Sequence, residues 1–175
     1  WQHIERALND AQATGAAESQ QKAFRQIAHM HYMEGDYDKA LSYLSRLHED
    51  PRCTGRERLF VVRLMANTLG NLARYVAARP IFREAISLAE ALGNDTELAY
   101  NRSNLALMIL IPLGQFKQAH NLQQLVEPVF TTPKQRLVFL FNRAELLVAS
   151  GDWDGLAEVV VEQEALLTQL EIKDT

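Results

Sequence analysis

The segment Gly35-Asp36-Tyr37-Asp38-Lys39-Ala40 returns as Gly114-Gln115-Phe116-Lys117-Gln118-Ala119 and again as Gly151-Asp152-Trp153-Asp154-Gly155-Leu156. A glycine, a polar residue, an aromatic and then a small or apolar residue make the corner of a helical hairpin. Glycine adopts the left-handed conformation that ends one helix, and the aromatic opens the next. Three copies in 175 residues impose a repeat architecture. Each helical pair then leaves an apolar face that only a neighbouring pair can cover. A chain of this kind normally offers a surface rather than a reaction centre.

A fourth corner lacks the glycine. Ala73-Arg74-Tyr75-Val76-Ala77-Ala78 aligns with Gly35 to Ala40, aromatic on aromatic and alanine on alanine. Anchored on Ala40, Ala78, Ala119 and Leu156, the units are 38, 41 and 37 residues apart, so their turns vary in length. An alanine precedes each corner: Ala28, Ala66 and Ala144 by seven residues, Ala106 by eight. The extra residue falls near Pro112, which cannot donate an i to i−4 bond and is expected to bulge or end its helix. The small residues let paired helices approach closely. Phe82, Leu44 and Leu122 are expected to fill the space between pairs.

The N-terminal residues Ile4, Ala7, Leu8, Ala11 and Gly15 repeat at Phe82, Ala85, Ile86, Ala89 and Gly93, each shifted by 78. Residues 1–14 therefore read as the second helix of a unit whose first helix is missing. The expected architecture is all-α, a right-handed α-solenoid of about nine helices. The units span about 1–15 (a half unit), 19–52, 55–93, 95–130 and 133–171, in one domain covering 1–175. Thr54-Gly55-Arg56-Glu57 reads as a capping box, Asp95 as an N-cap, and Pro133 as a first helical residue. Gly15 and Gly93 read as C-cap glycines. Val159-Val160-Val161 favours a strand locally but lies within a helical pattern from Trp153 to Leu170.

Composition fits one soluble domain: 47% hydrophobic, 23% charged, net charge −4. That balance argues against direct nucleic-acid binding, which calls for a basic face. The longest apolar run, Leu105 to Leu113, is too short to span a bilayer, so no membrane insertion is expected. No signal peptide is visible, and a cytoplasmic location is expected. The chain begins at Trp1 without a methionine, as a piece excised from a longer protein would.

No catalytic, metal or cofactor site is expected. Cys53 is the single cysteine, and a dyad with His48 would lie in a charged loop. His29 and His31 are two apart on a helix and point to different faces, one packed and one exposed, so they cannot form an i, i+4 metal pair. Phosphate-loop, HExxH and GxSxG patterns are absent. Glu158, Glu162 and Glu164 read as a solvated helix face.

At this point the residues resemble the tetratricopeptide repeat. Phe24-x2-Ile27-Ala28 followed by Gly35-Asp36-Tyr37-Asp38-Lys39-Ala40 is the closest copy, and Ala78-Arg79-Pro80-Ile81-Phe82 with Ala85 matches the second-helix pattern. In the later units Gln123 and Val160 stand at the large-aromatic position, and Leu156 replaces the corner alanine. The long period resembles the variety common in bacterial signalling proteins and transcription regulators. There it serves as a sensory or partner-binding region attached to an output domain.

In stacked pairs the first helix of each lines the concave side. The register assigns Lys22, Arg25, His29 and Tyr32 to that groove, then Phe60, Arg63, Asn67 and Asn71, then Tyr100, Ser103, Asn104 and Leu107, and last Val138, Phe141, Asn142 and Glu145. One end is basic and amide-rich, the other more apolar. The candidate partner-binding set is Arg25, His29, Arg63, Asn67, Asn71, Tyr100 and Asn104. An amide offers donor and acceptor to a peptide bond, and arginine grips a carboxylate. The resemblance implies a protein or peptide ligand held along the groove. Val138 and Asn142 stand where a full carboxylate clamp would carry further cations, which favours a peptide or acidic segment over a strict C-terminal carboxylate. Three alternatives stay open: ordinary solvated polar residues, a structural scaffold that homodimerises through the N-terminal half unit, and a small-molecule sensor with Phe60, Tyr100 and Phe141 lining a pocket.

Overall fold

A computed structural model describes residues 17–171. These form eight α-helices and no strand: α1 (Ala17–Met33), α2 (Tyr37–Glu49), α3 (Gly55–Asn71), α4 (Tyr75–Ala91), α5 (Asp95–Leu105), α6 (Phe116–Val126), α7 (Pro133–Ser150) and α8 (Trp153–Glu171). A π-helical turn, Ala106–Leu110, continues α5, and a 3-10 turn, Glu127–Val129, follows α6. The expected half unit at 1–15, with its Gly15 cap, lies outside the described residues. The Val159–Val161 run is helical, as its surroundings dictate. The chain divides into two compact units, one ending at Gly93 and the other beginning at Asn94. Among the described residues no helix is long and apolar enough to cross a membrane.

All four corners are built alike. Gly35, Ala73, Gly114 and Gly151 have φ of 79°, 54°, 69° and 76°. The next residue in each case donates its N–H to the carbonyl five residues back: Asp36 to His31, Arg74 to Leu69, Gln115 to Leu110 and Asp152 to Leu147, at 2.8–2.9 Å. A left-handed residue with this 6→1 bond is a Schellman turn, which satisfies carbonyls the helix end would otherwise orphan. Ala73 is the only described non-glycine residue with positive φ, so the glycine-free corner carries backbone strain that its three counterparts avoid. Gly93, with φ of 62°, caps α4 in the left-handed conformation, as its position implied.

The extra residue before the third corner is absorbed by the π turn. Ile111 N–H reaches Ala106 O at 3.0 Å, an i to i−5 bond. One residue added within one turn is what a π-bulge accommodates. Ala106 and Gly114 thus keep their places although the gap between them is longer by one.

Two caps differ from expectation. Thr54 makes no side-chain cap bond to α3; it is extended, Gly55 beside it has φ of 56°, and the Glu57 carboxylate is engaged by Arg25 instead. The N-cap of α5 is Asn94, one residue before Asp95, and its side chain accepts from Glu97 N at 3.1 Å. The complete capping box is Thr132–Gln135, which starts α7 with Pro133 at its first turn.

In the first unit Ala28, Ala40, Leu44 and Leu47 pack with Val61 and Leu64, so Leu44 fills the space between the α1–α2 pair and α3. Phe82 is fully buried. In the second unit Ala106, Ala119 and Leu146 form one cluster, with Leu122 half-buried against it, and Phe130, Phe139, Leu140 and Val159 another. Gln123 is buried at the large-residue position, and its amide donates to Asn142 O at 2.9 Å, as a buried amide must. Val160 does not take the equivalent place; Val159 and Gln163 are buried and Val160 is exposed. Leu156, bulkier than the alanine at the other corners, is only half-buried, whereas Ala40, Ala78 and Ala119 are fully buried.

Candidate partner-binding face

Five of the seven candidate residues lie in the first unit, on α1 and α3. Arg25 and Arg63 occupy the same register position on these two first helices, and both guanidinium carbons lie 5.4 Å from the centroid of the Phe60 ring. His29 is exposed, with its ring 6.2 Å from that of Phe60. A cation over an aromatic face is worth about 0.5–1 kcal/mol at such exposed sites, enough to hold a flexible guanidinium in place. Arg25 Nη1 also lies 2.6 and 2.7 Å from the two carboxylate oxygens of Glu57. At the far end of the face Asn71 donates to the Tyr32 hydroxyl at 3.4 Å. Burial first, against a smaller opposing effect of that bond, raises the Tyr32 pKa and keeps the phenol neutral.

Asn67 departs from the expected groove position. It is one turn beyond Arg63 but only 7% exposed, so it belongs to the packing rather than to an open surface. Ser103, also assigned outward, is buried and accepts from Asn142 Nδ2 at 3.0 Å. Tyr100 and Asn104 lie in the second unit, both half-buried, with the Tyr100 ring packed 5.1 Å from Phe130. Val138 and Phe141 are exposed on α7, which keeps the apolar character read for that helix.

Sequence reasoning missed the ion-pair networks. Arg58 Nε donates to Glu84 Oε1 at 2.7 Å and its Nη1 to His48 O at 2.8 Å, while His48 Nε2 lies 3.0 Å from Glu84 Oε2 and 2.9 Å from Arg58 Nη2. Burial would push the Glu84 carboxyl up, but the bonds from His48 and Arg58 outweigh it and leave its pKa lowered. His48 Nε2 is thereby taken, and Cys53 is buried with its thiol pKa raised by desolvation. His31 is packed, stacked on Tyr43 at 6.0 Å, and His29 is exposed, as their spacing required. Glu162 is not a freely solvated acid: Arg136 donates to it at 2.6 and 3.1 Å and to Glu127 at 2.8 Å, and Arg143 also reaches Glu127. The hydrogen bond from Arg136 lowers the Glu162 pKa. The sequence shows these charges but offers no way to match partners 26 or 32 residues apart.

Among the described residues no group of three or more His, Cys, Asp or Glu side chains could hold a metal ion. A depression of about 350 Å³ in the second unit is lined by Asp95, Leu98, Arg102, Leu125 and Val129 among others; none of Phe60, Tyr100 or Phe141 borders it. No protein-family model matches the chain, and no curated protein matches it.

Proposed function

We propose that the chain is a tetratricopeptide-like right-handed solenoid of stacked helix pairs. In this reading it acts as a protein-interaction module, with the α1–α3 face binding an acidic peptide or partner segment. The observation that carries this reading is the pair of guanidiniums, Arg25 and Arg63, held over one half-buried Phe60 ring. An arginine fixed on a ring has lost part of its rotamer freedom before a ligand arrives, so less is lost on binding. Arg63 offers its fork to a carboxylate, and Asn71 and Tyr32 supply amide and hydroxyl partners for an extended backbone. The resemblance adds a role: the partner-binding or sensory part of a bacterial signalling protein or transcription regulator, attached to an output domain.

The test is fluorescence anisotropy with labelled extended peptides, acidic and neutral, against wild type, Arg63→Ala and Arg25→Ala. A hydrogen bond to a charged group contributes about 1.5–3 kcal/mol. Arg63→Ala is therefore expected to weaken the acidic peptide about ten-fold or more and to leave the weak neutral peptide unchanged. Acidic-peptide binding that survives both substitutions would remove the assignment of this face.

A further inference from the structure

We infer that the outward face of α7 is a self-association surface, where the α7 helix of a second copy of this chain packs antiparallel across a two-fold axis. The helix belongs to the second unit and is separate from the α1–α3 face. Lys134, Val138, Phe141, Glu145 and Val148 follow one another at intervals of four, three, four and three residues. That spacing gathers all five on one stripe of the helix, the seam pattern a second helix packs against. Lys134 and Glu145 are exposed, and Val138, Phe141 and Val148 are exposed by 47%, 52% and 48%. The opposite side of α7, with Phe139, Leu140, Leu146 and Leu147, is buried in the second unit. The stripe is therefore what the unit's own packing leaves uncovered.

Charge selects the occupant and its direction. The stripe holds one cation in the first turn of α7 and one anion three turns on, with two apolar residues between them. Neither charge is ion-paired to another described residue. The remaining charged residues of α7, Arg136 and Arg143, lie on the far side and are held by Glu127 and Glu162. The positions flanking the stripe, Gln135, Leu137, Asn142, Ala144 and Ala149, are uncharged.

The order cation, apolar, apolar, anion is its own complement when reversed. Two copies of α7 crossing antiparallel, with the axis between residues 139 and 140, set Val138 against the partner's Phe141. The same crossing sets Lys134 against the partner's Glu145. Symmetry repeats both contacts, so an apolar centre is closed at each end by a pair of opposite charges. A parallel pairing would set lysine on lysine and glutamate on glutamate, which costs rather than stabilises. A second copy thus meets the apolar and the charged parts of the stripe together.

The test is sedimentation equilibrium of the whole chain over a wide range of concentration, with circular dichroism as the check on folding. Wild type is expected to approach the mass of a dimer as concentration rises. Phe141→Asp, at an exposed position, is expected to remain monomeric. Lys134→Glu and Glu145→Lys each turn two attractive contacts into repulsive ones, and each is expected to weaken the dimer about ten-fold. The double variant Lys134→Glu/Glu145→Lys exchanges the two charges and is expected to dimerise as wild type does, a recovery that misfolding would not produce. A wild type monomeric at the highest concentration would overturn the proposal and leave the stripe to a protein of another sequence. So would a dimer indifferent to Phe141→Asp, whose contact would lie elsewhere, or a double variant no stronger than the single ones, which would deny the antiparallel register.

Discussion

The strained corner gives the sharpest test of the repeat register. Ala73 sits at φ of 54° where the other three corners have glycine. A left-handed L-residue costs about 1–2 kcal/mol. Ala73→Gly removes that cost but widens the unfolded ensemble, which takes back about 0.4–1 kcal/mol. The net expectation is stabilisation by roughly 0.5–1 kcal/mol. Ala73 is exposed, so its methyl contributes little packing that could mask the effect. For a chain of 175 residues this is a rise in Tm of about 2 °C. The mirror experiment is Gly151→Ala. A Cβ there meets nothing within 4 Å, so its cost is backbone strain alone, and φ of 76° puts it in the same region. Its expected effect is destabilisation of similar size. Both are read by thermal and urea denaturation followed by circular dichroism. Ala73→Gly that lowers the Tm, or Gly151→Ala that leaves it unchanged, would refute the claim that the corners are equivalent turns.

Two further expectations follow from the caps and ion pairs. Thr132→Ala removes the hydroxyl that accepts from Gln135 N and opens the capping box of α7; a loss of about 1 kcal/mol is expected in urea denaturation, and an unchanged midpoint would deny the box any role. Because the Glu84 pKa is lowered in the fold, its pairing with Arg58 and His48 stabilises fully above the ordinary value of 4.5 and is lost as pH falls through the folded value. The stability gap between wild type and Glu84→Gln is therefore expected to be widest near neutrality and to close below pH 4.5, and a gap constant across that range would contradict it.

What the sequence made legible was local. A Schellman turn is decided within six residues, so Gly35, Gly114 and Gly151 announce it, and Ala73 is found by alignment to them. The π turn was legible for the same reason: one surplus residue between Ala106 and Gly114, beside a proline, has few places to go. The pairings of charges were not legible. Arg25 and Glu57 are 32 residues apart, and Arg136 and Glu162 26 apart. The repeat period says which helices are neighbours, but several acids lie within reach of each arginine, and packing detail chooses among them. The same limit explains Asn67. Helical spacing from Arg63 fixes its direction only to within a wide sector, and the edge of that sector is buried. In α8 the Ala-x3-large pattern misled: Leu156 breaks its first term, and Val159 rather than Val160 is buried.

The ion pairs also decide which charges remain for partners. In the second unit Arg136 and Arg143 are both spent on Glu127 and Glu162, so the acids of α8 outside that network keep their charge at the surface. In the first unit Arg58 is spent on Glu84 and Arg25 on Glu57, with the Arg25 and Arg63 guanidiniums both against the Phe60 ring. The net charge of −4 is therefore a poor guide to the local field: the ionic character of each unit is set by which of its charges are paired, not by the sum over the chain.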